Sequence, residues 1–297
     1  MSYNLAVSFF RRGAALLLTL ALTACSARTR RFIGYQFAGP APAAECRADG
    51  PARWCVYTPK GPTTGDVVYF LHYATGDERS WNRLGLSRAF YDEYRRAGRP
   101  APRVVTVSYG GYWLLTATPG LRQTVPLVDF DALRVRIEKS LGPIDRRFLW
   151  GMSQGGYSAA ELVLSRPDSW AATALSCPAL TASSPYEVPA HETASRGPEG
   201  RLLFTYRLAG DSVWKAENPL ALIDAETTPP IWIEANTGDE FGYFKGARAL
   251  ADALRRSGHA ARFVASPGGH CAIDARAVAR FFMSVPPVFT RPNKEID

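Results

Sequence analysis

Two glycines bracket a serine in Gly151-Met152-Ser153-Gln154-Gly155, and a third follows at Gly156. An apolar run, residues 147–150, leads into this pentapeptide, and a stretch with helical spacing, 154–165, leaves it. A chain with this order has to turn sharply from strand to helix at Ser153. The flanking glycines let neighbouring backbone pass without Cβ clashes. Such a turn lifts the serine oxygen clear of a sheet. It also aims the Gln154 N–H and the helix N-terminus at one point, where negative charge developing on a reacting carbonyl would be stabilised.

The rest of the chain continues the alternation. Residues 53–58, 66–72, 103–108, 147–150, 172–176, 230–235 and 261–265 predict strands, and 83–97, 128–141, 154–165, 244–256 and 272–283 predict helices. The run 66–72 is apolar almost throughout, as suits a strand buried on both faces. Strands alternating with helices argue for an α/β domain with a mostly parallel central sheet flanked by helices, here over 45–285. Residues 179–228 carry Pro, Ser, Glu and Gly without a clear strand and read as an insertion ahead of the strand at 230–235. Residues 25–44 read as a linker and 286–297 as a C-terminal tail. No period repeats, which excludes a solenoid or propeller. With 46% hydrophobic and 21% charged residues the chain is not a disordered one. The net charge of +8 is spread along the chain, and its dense patches, Arg28–Arg31 and 95–99, are short. That pattern reads as a basic soluble surface and not as a nucleic-acid interface.

The N-terminus has the form of an address. Arg11 and Arg12 precede an apolar run over 13–24 that is too short to span a bilayer, so it reads as a signal segment. The run ends Leu22-Thr23-Ala24-Cys25, which resembles the lipobox of bacterial lipoproteins. That resemblance implies export, cleavage before Cys25, acylation of its sulfur and anchorage to the cell envelope, with Ser26 suggesting the outer membrane. Export implies an oxidising compartment. Cys46 and Cys55 bracket the turn signal Asp49-Gly50-Pro51 and are expected to form a hairpin disulfide. Cys177 and Cys271 are left either as a second pair or as two buried thiols.

A serine hydroxyl needs a base, and the chain offers four histidines. His270 follows Gly268-Gly269 directly after the strand at 261–265, where a close-approaching loop can carry an imidazole over a neighbouring strand end. His72 lies at a strand end, His191 in the insertion and His259 in a polar turn. A carboxylate must hold the imidazole tautomer. Asp239 is the first one past the strand at 230–235, with Glu240, Asp211 and Asp224 as the competing choices. The order Ser153, Asp239, His270 is that of α/β-hydrolases.

On these residues the sequence resembles an α/β-hydrolase of the bacterial esterase group that includes esterase D-like and feruloyl-esterase-like enzymes. The matching segments are Gly151–Gly156, Thr237-Gly-Asp-Glu240 and Pro267-Gly-Gly-His270. The stretch Phe70–Gly76, with Asp77–Trp81 after it, is similar to the family's His-Gly loop, which supplies a second oxyanion N–H. Here the family's glycine is Tyr73, so either Tyr73 or Ala74 is the expected donor beside Gln154. The resemblance implies acyl transfer from a small-molecule or cell-envelope ester to water, without cofactor or metal. Trp81, Tyr109, Tyr112 and Trp113 are candidates to line the substrate pocket. An acyltransferase or peptidase would use the same three residues, and a non-catalytic surface lipoprotein would need none of them.

Overall fold

The computed structural model describes residues 27–111, 113–115, 124–181, 217–224 and 228–286. Its elements begin with α1 (Ala27–Gln36) and the hairpin β1 (Ala43–Asp49) and β2 (Ala52–Thr58). Then come β3 (Thr63–Leu71), α2 (Ser80–Arg83), α3 (Leu86–Arg96), β4 (Ala101–Ser108), and the short strands β5 (Trp113–Leu115) and β6 (Thr124–Pro126). Next are α4 (Leu127–Leu141), β7 (Arg147–Met152), α5 (Gln154–Ser165) and β8 (Ala172–Ser176). The last are β9 (Ile231–Asn236), α6 (Tyr243–Arg256), β10 (Ala261–Ser266) and α7 (Ala275–Ser284).

Eight strands form one sheet in the order β1-β2-β4-β3-β7-β8-β9-β10. Every pairing from β4 through β10 is parallel, and β1–β2 and β2–β4 are antiparallel. The mostly parallel sheet read from the alternation is therefore present. Each face carries its own core. Val67, Tyr69 and Leu71 of β3 point to one, with Leu133 of α4, Leu162 of α5 and Leu250 of α6. Val68 and Phe70 point to the other, with Phe90 of α3 and Phe282 of α7. Because side chains alternate along a strand, two covered faces require a continuous apolar run, which is what residues 66–72 show. Phe70 is wholly buried, and its truncation to Ala would cost about 3–5 kcal/mol.

Residues 25–44 are not a free linker where the structure describes them. Residues 27–36 form α1, whose Tyr35 is buried; its hydroxyl donates to Ile273 O and accepts from Ala275 N. Arg31 donates to Ala272 O at 2.6 Å, with its Nη1 3.8 Å from Glu234 Oε1. Gly85 makes this approach possible, since a Cβ there would lie 2.9 Å from the Tyr35 backbone. The end of the expected linker, Ala43 and Ala44, belongs to β1. That strand is exposed along its whole length and so leaves no hydrophobic alternation to read. It is held by its pairing with β2, in which Cys46 stands directly opposite Cys55, and by the disulfide between them. Cys177 and Cys271 are joined as well, tying the end of β8 to the loop after β10.

Glu234 is buried in β9 beneath α1, where it accepts from Asp274 N and Ser266 Oγ. Burial pushes its carboxyl up to about 7, against which the Asp274 N–H and Arg31 work only in part. A carboxyl that holds its proton more tightly folded than unfolded favours the folded state most at low pH. Stability should therefore fall as pH rises from about 4.5 to about 7 and then level off, by about 3 kcal/mol from this group. Glu234→Gln should flatten that decline. Urea midpoints at pH 5 and pH 8 check this, and an unchanged pH dependence in the variant would reject it.

Candidate active site

Ser153 sits between β7 and α5 with φ 55° and ψ −114°. For a residue with a side chain this backbone costs about 1–3 kcal/mol and persists only where its surroundings impose it. The surroundings are glycines and hydrogen bonds. A Cβ at Gly151 would lie 2.1 Å from Gly155 O, one at Gly155 would lie 2.2 Å from Leu71 O, and one at Gly156 would lie 2.9 Å from Pro178 Cα. The two glycines of the pentapeptide and Gly156 thus mark three close backbone crossings. Ser153 N donates to Ser176 O, and Ser153 O accepts from Tyr157 N and Ala179 N.

β9 and β10 deliver the other two side chains. Their parallel pairing continues past the sheet, with Thr237 N donating to Ser266 O and Gly238 N to Gly268 O. The crossing is close enough that a Cβ at Gly238 would come within 2.9 Å of Gly268 O. The two loops therefore travel together and bring Asp239 beside His270. Ser153 Oγ lies 2.8 Å from His270 Nε2, and His270 Nδ1 lies 2.7 Å from Asp239 Oδ2. Both side chains of the second pair are buried. With Nδ1–H donated to the carboxylate, Nε2 is the acceptor that faces the serine hydroxyl. Phe241 and Tyr243 present their rings edge-on to the imidazole, at 5.0 and 5.5 Å between centroids.

Glu240, the nearest competitor for the acid, has a different partner. Its Oε2 accepts the backbone N–H of His270 at 2.7 Å. The adjacent carboxylates divide the histidine between them, Asp239 holding the ring and Glu240 the main chain. Asp224 is exposed and its carbonyl is held by His259 Nε2. Asp211 and His191 lie outside the described residues. His72 is buried in the loop after β3, where desolvation lowers its pKa and favours the neutral ring. Its Nδ1–H donates to Tyr73 O at 2.7 Å and its Nε2 accepts from Ser108 Oγ at 2.8 Å. This histidine shapes the loop that borders the serine, and Gly155 N donates to its carbonyl.

Gln154 N is the first N–H of α5, and among the described residues it has no acceptor; the same holds for Tyr73 N and Ala74 N. The Gln154 side chain donates to Gly111 O at 3.1 Å, which brings the loop after β4 against the serine turn. Tyr109, on that loop, borders a cleft of about 20 Å³ together with His72, Gln154 and Gly155. Trp81 departs from the expected pocket. It is fully buried, packed edge-on against Tyr57 and Tyr91 in the core beside α3. The loop turns there because Glu78 O accepts from Tyr57 Oη and Thr106 Oγ1, and α2 then lays the indole inward. Tyr112, the Trp113 side chain and Cys25 lie outside the described residues.

Two residues at the site have roles that the sequence does not show. One is Glu240, whose role depends on a loop thirty positions away. The other is Asn236, which donates to Ser266 Oγ and Ala272 O and accepts from Ala272 N, holding the strand after which the histidine comes. Cys177, His270 and Cys271 place three potential metal-binding atoms within 4.8 Å of one another. The two sulfurs are bonded to each other and the imidazole nitrogens face Ser153 and Asp239, so this group does not fit a metal ion.

No family model matches the chain, and no curated protein matches its sequence. Solved structures do match. An α/β-hydrolase from the metagenome of Lake Arreo, Spain, is 18% identical, with a TM-score of 0.59 over 92% of this chain and 97% of that one. An S-formylglutathione hydrolase from Agrobacterium tumefaciens is 15% identical, with a TM-score of 0.60 over 81% of this chain and 92% of that one. A hyperthermophilic esterase from Pyrobaculum calidifontis is 19% identical, with a TM-score of 0.61 over 88% of this chain and 92% of that one. Likeness at such identities is one of architecture, and with the sheet order and strand-end loops described above it gives this chain the α/β-hydrolase fold.

Proposed function

We propose that the protein is a serine hydrolase that cleaves a carboxylic ester through a covalent acyl-enzyme. The observation that carries this reading is the hydrogen-bonded line from Ser153 Oγ through His270 to Asp239, at 2.8 and 2.7 Å, on a strained strand-to-helix turn. His270 Nε2 takes the serine proton as Oγ attacks the ester carbonyl. Asp239 stabilises the imidazolium and keeps Nδ1 as donor. The oxyanion meets the Gln154 N–H and an N–H of the Tyr73–Ala74 segment. The imidazolium then protonates the departing alcohol. Water, deprotonated by the same nitrogen, attacks the acyl-enzyme and releases the acid with Ser153 restored.

The same reading covers location. The Arg11-Arg12 pair, the short apolar run and Leu22–Cys25 support export, with acylation of Cys25 anchoring the protein to the envelope, and the two disulfides fit an oxidising compartment. Several acyl chains on one residue give stable attachment where one alone is marginal.

Ser153→Ala and His270→Ala should each lower ester turnover by about 10⁴-fold or more, and the double variant should be little worse, since these groups act as a unit. Asp239→Asn should lose about 10⁴ in kcat by favouring the wrong tautomer. Glu240→Gln, which loosens only the histidine backbone, should lose about ten- to a hundredfold. Steady-state rates on a panel of esters and amides, with fluorophosphonate labelling of Ser153, check these values. Either alanine variant within tenfold of wild type would remove the assignment.

Cys25→Ser should abolish acyl labelling of the protein in cells, with ester turnover retained. Acyl label persisting on the variant would end the anchoring proposal.

A further inference from the structure

The outer face of α1 carries apolar side chains that the fold leaves in water. Ile33 is 40% exposed and Phe37, in the turn that closes the helix, is 85% exposed. The two are four residues apart and so lie on one side, with exposed Arg30 three residues before Ile33. The opposite side is already satisfied, since Tyr35 is buried against the body and Arg31 donates to Ala272 O. The exposed pair therefore does not belong to the protein's own core. Two residues beyond Phe37, at Gly39, begins a cleft of about 360 Å³ whose walls include Pro40, Pro59 and Tyr91 together with Arg88, Arg99 and an Arg95 paired with Asp92. Apolar side chains thus stand next to a concentration of guanidinium groups.

We propose that this face rests on an anionic lipid bilayer. Phe37 and Ile33 enter the boundary between headgroups and acyl chains, and Arg88 and Arg99 meet headgroup phosphates. An amphipathic helix with an aromatic on one side and cationic flanks is an interfacial element. The proposal draws on the reading that Cys25 is acylated, and the chain length makes the link physical. Cys25 lies two residues before Ala27, the first residue of α1, and two residues span at most about 7 Å. An acylated Cys25 therefore brings the bilayer surface to α1. The helix is in turn fastened to Ala272 and Ile273, just past His270, so the contact fixes how the catalytic body is held against the membrane. It also supplies the second signal that turns a lipid tether into an oriented attachment.

The test uses protein beginning at Ser26, which holds every described element and has no Cys25, so that any binding comes from the face and not from acyl chains. Sedimentation with phosphatidylglycerol vesicles should capture it, and phosphatidylcholine vesicles or high salt should weaken capture. Phe37→Ser should lower the affinity for phosphatidylglycerol vesicles at least about tenfold, and Arg99→Gln should reduce its salt dependence. Both variants should keep wild-type ester turnover and thermal midpoint, which shows that they fold. Absence of wild-type capture, or equal capture of Phe37→Ser, overturns the proposal. So does a dimer in light scattering that Phe37→Ser dissociates without any vesicle binding, because the face would then join two copies. The acylation reading is judged separately, by acyl labelling of the full chain.

Discussion

The imidazole of His270 is held from two sides, by Ser153 and by Asp239, and the three residues follow three different strand ends. A parallel sheet makes such a meeting possible because all of its strands finish on the same edge. β7, β9 and β10 each run out toward that edge, and the loops that follow converge there. The geometry of one short hydrogen-bonded line therefore depends on strand register across half the sheet. That register is set by the two apolar cores that cover both faces. A slip in β9 or β10 would turn core side chains outward, so the same packing that stabilises the fold also fixes the distance between the imidazole and the Asp239 carboxylate.

Around this line the backbone departs from ordinary conformations. Among the described residues, three other than glycine have positive φ: Ser153, Cys177 and Cys271. All three belong to the site. Ser153 is the turn itself, Cys271 follows His270, and Cys177 is bonded to Cys271 through the second disulfide. Cys177 N also donates to Glu234 O, on the strand that leads to Asp239. The loop carrying the histidine is thus fastened by a covalent bond, by Glu240 at its backbone, by Asn236 behind it and by α1 through Ala272 and Ile273. Strain of this kind is tolerated because many independent contacts oppose its relaxation. Such a loop can hold the nitrogen at a fixed distance from the serine with no reorganisation during reaction.

Much of this was legible in the chain itself, for identifiable reasons. Steric demands at the serine turn leave glycines at fixed positions, so Gly151, Gly155 and Gly156 announce the turn. Burial on both faces leaves continuous apolar runs, so the inner strands can be read directly. Gly268-Gly269 before His270 and Gly238 before Asp239 mark close loop crossings and point to the two side chains that meet. The pairing of Cys46 with Cys55 follows from a turn signal between them. Each of these is a local consequence of a local constraint.

Other features have no local cause. β1 is fully exposed, so nothing in its pattern distinguishes it from a linker, and only pairing with β2 makes it a strand. α1 is a helix docked onto the body because Tyr35 and Arg31 find the chain near residues 272–275, more than two hundred positions away. Trp81 follows a strand end like the other aromatics near the site, yet α2 turns its indole into the core. Asp239 and Glu240 are adjacent and chemically alike, and which carboxylate reached the ring depended on where the loop after β10 crossed them. The sheet, the serine turn and the histidine that meets it are local in origin, because sterics and burial act over a few residues. Contacts between segments that the chain order keeps apart were needed to divide His270 between Asp239 and Glu240, to join Cys177 with Cys271 and to bury Trp81.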